Sequence, residues 1–320
     1  MKLKMMYSFL NSDIEVIEKT LEETVQANSS LLKESSLHLL KAGGKRIRPI
    51  FVLLAGQFGD YDIHQIKKAA VSLELIHMAS LVHDDVIDDA DLRRGQPTIK
   101  ARWDNKIAMY TGDYIFARSM EIMSEINKPE AHRVLANTIV EVCIGEIQQI
   151  KDKYRFDQSL RDYFRRIKRK TALLISASSL VGAIVSDVDV KHQKKLFDFG
   201  YYVGMSYQII DDVLDFIGTE KELGKPAGGD LLQGNITLPA FYAMEQEEIK
   251  RKILTVHEKM DKEELNVIID LIKNSDAIER SLRVSDLYLK KALESIKDLP
   301  NGRAKSALIN IAKYLGKRKF

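Results

Sequence analysis

The sequence predicts an all-α protein. Three observations carry that expectation. Prolines number six in 320 residues, and none falls between Pro129 and Pro226. Strict alternation of apolar and polar residues, the period of a half-buried strand, is scarce. Apolar residues instead recur every three or four positions, the period of a helix with one buried face.

Taken in order, helices are expected over 12–27, 31–42, 49–58, 62–89, 108–127, 129–152, 158–185, 190–217, 236–247, 261–273, 275–297 and 302–316. Breaks fall at Gly43-Gly44, Gly95-Gln96-Pro97, Lys128-Pro129, Gly224-Lys225-Pro226 and Leu299-Pro300, where glycine frees the backbone or proline removes a donor. The apolar run after the basic Met1–Tyr7 stretch ends at Asn11 and Asp13, too soon for a signal peptide. Thr171 to Ser186 is the longest charge-free stretch. It falls short of the roughly 20 residues that span a bilayer, and reads as a buried central helix rather than a transmembrane segment. No linker or shift of composition divides the chain, so residues 1–320 read as a single domain.

Composition excludes several classes. With 49 basic and 46 acidic residues the net charge is +3, too balanced for bulk nucleic-acid binding. The lone cysteine, Cys143, permits no internal disulfide, which is compatible with a reducing cytoplasm. Its helical spacing with Ala136, Ile139, Val140 and Ile147 predicts a core thiol.

The run Leu81–Asp89 carries the chemistry. An apolar helical pattern through Ala69, Leu73, Ile76 and His77 leads into Asp84, Asp85, Asp88 and Asp89. Asp84 and Asp88 share a helix face at i, i+4, with Asp85 beside them. The C-terminal end of a helix is already negative, so acids there need cations to offset them. Oxygen-only ligands suit a hard ion such as magnesium, which also takes phosphate oxygens. Alone, the run is equally an acidic helix end in water. It is repeated, however, at Asp211, Asp212 and Asp215, below another patterned helix. Paired acidic faces across a cavity can hold several magnesium ions around a diphosphate.

Cations flank both runs. Gly43-Gly44 precedes Lys45, Arg46 and Arg48, which is either an anion-binding loop or a helix cap with solvated charges. Arg93 and Arg94 follow the first run, and suit forked phosphate contacts or pairing with Asp88, Asp89 and Asp91. Arg161, Arg165, Arg166, Lys168, Arg169 and Lys170 read mainly as a solvated face. Gly200 and Gly204, at i, i+4, suit close helix packing.

Two DDxxD runs, with Gly43–Pro49 upstream and Arg93-Arg94-Gly95 just after the first, resemble the trans-prenyl diphosphate synthase family. The likeness runs from about residue 30 to the end. It implies a helical bundle of the isoprenoid synthase type with a central substrate tunnel. It implies a prenyltransferase that adds isopentenyl diphosphate to an allylic diphosphate such as farnesyl diphosphate, with Asp84, Asp85, Asp88, Asp211, Asp212 and Lys170 as the catalytic set. About three Mg2+ ions on those five aspartates and Asp215 would offset charge on the leaving diphosphate. Lys45, Arg48, His77 and Arg94 would hold isopentenyl diphosphate. Arg93, Lys170, Thr171, Gln208 and Lys225 would hold the allylic diphosphate. Short-chain members carry lysine where this chain has Asn235, which leaves that position without an assigned role. Two-component members add a small regulatory subunit, and others form homodimers. The product would serve a menaquinone side chain, with contact to a membrane at its release.

Product length hangs on Ala79, five residues before Asp84, and on Ser80. Small side chains one turn upstream of the carboxylates leave the tunnel open, so about six or seven isoprene units are expected. Its floor is expected near Leu135 and Ile139. A terpene cyclase on the same fold would usually lack Lys45, Arg48 and the full second run; a non-catalytic partner subunit would have lost the aspartates.

Overall fold

The computed structural model describes residues 2–219 and 227–317. Helices α1 (Lys2–Met6), α2 (Asn11–Thr24), α3 (Ser30–Lys41), α4 (Ile47–Gly56) and α5 (Ile63–Ile87) come first. A two-residue hairpin follows, β1 (Leu92–Arg93) against β2 (Gln96–Pro97). Then come α6 (Ile99–Arg102), α7 (Asn105–Ser124), α8 (Pro129–Asp152), α9 (Leu160–Ile167), α10 (Leu173–Val185) and α11 (Val190–Ile217). The chain continues through α12 (Gly229–Leu232), α13 (Leu238–Ala243), α14 (Glu247–Ile253), α15 (Lys262–Asn274), α16 (Ala277–Ser295) and α17 (Arg303–Gly316). The fold is all-α, as expected.

Caps explain most starts. Asp62 accepts from the His64 amide at 2.9 Å to open α5, and Asp104 accepts from Ile107 at 2.8 Å to open α7. Ser159 and Asp162 form a reciprocal capping box on α9. The hairpin turns through Arg94 and Gly95, both at positive φ (54° and 75°), the geometry a two-residue hairpin demands.

Two compact units form. The first comprises residues 1–136, 177–196 and 300–308. Its central helix is α5, buried from Ala69 through Met78 and Ala79 apart from partly buried His77. Ser72 on α5 donates to the Ser119 carbonyl of α7 at 2.9 Å. Gly182 on α10 lets another backbone come close: a methyl group there would lie 2.3 Å from the Val52 carbonyl oxygen. The second unit comprises 137–176, 197–299 and 309–320. Its core gathers Tyr163, Ile167, Met205, Ile209, Phe216 and Phe241 with the apolar faces of α14 and α15.

Three expectations need correction. The helix predicted over 158–185 is α9, one π-helical turn (Lys168–Ala172) and α10. The one predicted over 236–247 stops at Ala243 and restarts at Glu247, because Glu245 and Gln246 close tight turns onto Tyr242 and Ala243 carbonyls. Cys143 is exposed, not a core thiol. Val140, Ile144, Ile147 and Ile150 on the same side of α8 are exposed as well, at 56%, 43%, 55% and 45%. The periodicity is real, but the face is left open.

Candidate active site

In the first unit, Asp84 and Asp85 lie in the last turn of α5 and Asp88 ends it. Asp85 is buried; Arg93 Nε donates to its Oδ1 at 2.7 Å, and Arg93 Nη2 forms an ion pair with the same oxygen at 2.7 Å. Burial pushes its carboxyl above the ordinary range, against the pull of Arg93. Lys100 takes Asp89 and reaches Asp91 at 3.5 Å.

Arg94 instead lies over the glycine loop. A methyl group at Gly44 would sit 2.8 Å from Arg94 Nη1, so a side chain there would push the guanidinium aside. His77 lies on α5 two turns before Asp84. Burial first, then Arg48, Arg94, Arg93 and Arg46, hold its imidazole well below the ordinary value. It is therefore neutral, able to donate one N–H among the arginines without adding charge. The side chains expected on isopentenyl diphosphate thus gather here: Arg48 and Arg94 both act on His77, while Lys45 is exposed on the same loop. Ala79 is buried, and Ser80 donates to the His77 carbonyl at 2.9 Å.

In the second unit, Asp211, Asp212 and Asp215 occupy the last two turns of α11. Here a hydrogen-bonded chain replaces the arginine. Thr171 Oγ1 donates to Gln208 Oε1 at 2.6 Å, and Gln208 Nε2 donates to Asp212 Oδ1 at 2.9 Å. Tyr163, fully buried, donates its hydroxyl to Asp212 Oδ2 at 2.7 Å. Burial, then repulsion from Asp230, pushes the Asp212 carboxyl up to about 7. Asp215 Oδ2 accepts from the Asp230 amide at 3.1 Å.

The π-helical turn brings Lys170 and Thr171 to this end. Lys170 donates to Gln149 at 3.0 Å. Gly204 on α11 seats the turn: a methyl group there would lie 2.5 Å from Ala172 Cα. Arg166, read from sequence as part of a solvated face, is buried; it donates to Gln158 Oε1 at 2.8 Å and to the Ile236 carbonyl. The Asn235 amide donates to the Asp230 carbonyl at 2.8 Å. Lys225 lies outside the described residues. Sequence reasoning missed Tyr163, Gln149 and the inward turn of Arg46; nothing short of packing marks them.

Among the described residues no three His, Cys, Asp or Glu side chains converge closely enough to hold a metal unaided. Carboxylates of both runs are engaged by protein donors: Asp85 in the first, Asp212 and Asp215 in the second. Among the described residues, no helix is long and apolar enough to cross a membrane.

A family model described as polyprenyl synthetase matches residues 29–273, through both acidic helix ends. This chain belongs to the polyprenyl synthetase family. Heptaprenyl diphosphate synthase component 2 of Bacillus subtilis (strain 168) is 64% identical over 320 residues, covering 100% of this chain and 92% of that protein. The crystal structure of heptaprenyl diphosphate synthase from Staphylococcus aureus matches with a TM-score of 0.94 at 45% identity, covering 97% of this chain and 99% of that one. A polyprenyl synthase from Caulobacter crescentus CB15, solved with calcium and isoprenyl diphosphate, matches with a TM-score of 0.94 at 29% identity, covering 99% of this chain and 98% of that one. As a polyprenyl synthetase, this chain is a prenyl-transferring enzyme.

Proposed function

We propose that this polyprenyl synthetase elongates an allylic diphosphate, farnesyl diphosphate by preference, with isopentenyl diphosphate to all-trans heptaprenyl diphosphate for a menaquinone side chain. It acts with a small second subunit, a component 1, in keeping with the "component 2" in the name of its Bacillus subtilis relative. Residues 1–320 work as one catalytic domain, since the segments of the two units interleave along the chain.

One observation carries the reading. Each aspartate run ends a long helix, and in each a carboxylate is held by a residue of the diphosphate-binding set, Arg93 for Asp85 and Gln208 for Asp212. The donor chemistry fits magnesium: six carboxylates, with Asp212 pushed up to about 7 and hydrogen-bonded by uncharged Tyr163 and Gln208. Asp84, Asp85, Asp88, Asp211, Asp212 and Asp215 would hold about three such ions. When bound, magnesium offsets the charge that develops on the departing diphosphate.

The chain's own residues do the rest. Arg93, Lys170, Thr171, Gln208 and Lys225 orient the allylic diphosphate for cleavage of its C–O bond. Lys45, Arg48, neutral His77 and Arg94 hold isopentenyl diphosphate, whose double bond attacks the allylic cation. A proton then leaves to the released diphosphate.

Magnesium-dependent incorporation of labelled isopentenyl diphosphate into butanol-extractable product, assayed with and without component 1, tests the assignment. No product with both subunits present would overturn it. Ala79 is 1% exposed on α5, a poor place for an aromatic ring unless a tunnel adjoins it. Ala79→Tyr should shorten the product on chromatography; unchanged length removes the tunnel argument.

A further inference from the structure

The Gly43–Arg48 loop carries three cations, and the structure sorts them. Lys45 is exposed and Arg48 half-buried. The Arg46 side chain turns inward and is 10% exposed. Its Nε donates to Glu18 Oε1 at 2.6 Å and its Nη2 to Glu18 Oε2 at 3.2 Å, a two-bond fork onto α2. Its Nη1 donates at 3.1 Å to Oε1 of Glu74 on α5, whose side chain is 4% exposed. Nη2 also reaches the Leu40 carbonyl of α3 at 3.3 Å. One guanidinium therefore ties three helices to the loop.

A guanidinium already shared by two carboxylates has little left to offer a phosphate. Its position still matters. Arg46 stands in the left-handed region (φ 49°, ψ 36°), where a residue with a side chain is held only by its surroundings. That residue caps α4, with Lys45 before it and Arg48 just after. Glu74 lies three residues before His77 on the same helix, so the fork also ties the loop to the histidine's segment.

We propose that Arg46 is a positioning residue for isopentenyl diphosphate: its fork onto Glu18 and Glu74 fixes the left-handed turn that presents Lys45 and Arg48. This rests on the reading of those two cations given above. Lysine keeps the charge of Arg46 but cannot form the fork. Glu18→Gln weakens only the outer arm, and its side chain is 39% exposed, so that variant is expected to fold.

Steady-state kinetics with both subunits, each substrate varied in turn, provide the test. Arg46→Lys should raise KM for isopentenyl diphosphate about tenfold, with KM for the allylic diphosphate within about twofold of wild type. Glu18→Gln should move the same constant by about threefold. A simple structural role would lower the active fraction and leave the KM values alone, or shift both together; either result overturns the proposal. Should Arg46→Lys fail to fold, an unchanged isopentenyl diphosphate KM in Glu18→Gln overturns it. Arg48→Ala separates the two levels of inference. If Arg48→Ala raises that KM and neither other variant does, Arg46 has no positioning role. If Arg48→Ala leaves it unchanged, the loop is not the diphosphate site, and the proposal falls with that reading.

Discussion

The two DDxxD runs look alike on paper, and the protein treats them differently. Asp85 is answered by a permanent cation, with Arg93 Nε donating at 2.7 Å and Nη2 paired to the same oxygen. Asp212 is answered by the neutral donors Tyr163 and Gln208, and its carboxyl rises to about 7. In one run the buried carboxylate is paired with a cation of its own unit, which offsets part of the cost of its burial. In the other, the buried carboxylate is bonded by uncharged donors, and burial dominates its acidity. A repeated motif therefore does not mean a repeated environment, because the partners of each acid come from elsewhere in the chain.

The comparison can be broken most directly with asparagine. Asp85→Asn and Asp212→Asn should each lower turnover by about a thousandfold, the loss of one carboxylate to a catalytic metal. A loss confined to one variant would mean that only one run serves the metal. Stability should separate the pair. In EDTA at pH 8, Asp212→Asn should raise Tm by a few degrees, because a costly buried charge is gone; Asp85→Asn should lower it by a similar amount, because Arg93 loses its partner. Calorimetry that moved both in the same direction would remove the contrast.

Acidity sharpens it further. The folded-state value near 7 lies above the ordinary 3.8, so ionising Asp212 opposes folding. The penalty is absent below about pH 4, grows as pH rises, and is complete above about 7. Metal-free wild type should therefore lose Tm relative to Asp212→Asn across that window and run parallel above it. A constant gap from pH 4 to 8 would mean that Asp212 is not perturbed. The smallest expected effect comes from Gly204→Ala, whose methyl group presses on Ala172. Through Thr171 and Gln208 it should raise KM for the allylic diphosphate severalfold while sparing that for isopentenyl diphosphate, read by the same kinetics.

Much of this was legible in the sequence. The helix expected over 190–217 is Val190–Ile217, and the one over 129–152 is Pro129–Asp152, because long apolar periods between clear breakers leave little choice. Both acidic helix ends were legible for the same reason. Periodicity finds an apolar face but not what covers it, which is why Cys143 was misplaced. Charge implies exposure only on average, and Arg166 lies buried because Gln158 and the Ile236 carbonyl satisfy it. The partners of Asp212 come from α9 and from the π-helical turn, and no local pattern announces them.

That turn sets a tolerance for chain editing. Each residue of an α-helix advances the chain by about 100°. A π-helical turn holds about one residue more than an α-helical turn, so deleting a single residue from Lys168–Ala172 would relax it to α-helix and leave α9 on its present face. Inserting a further residue there would exceed what the turn absorbs and swing α9 by about that angle, taking Tyr163 away from Asp212 and Arg166 away from the Ile236 carbonyl.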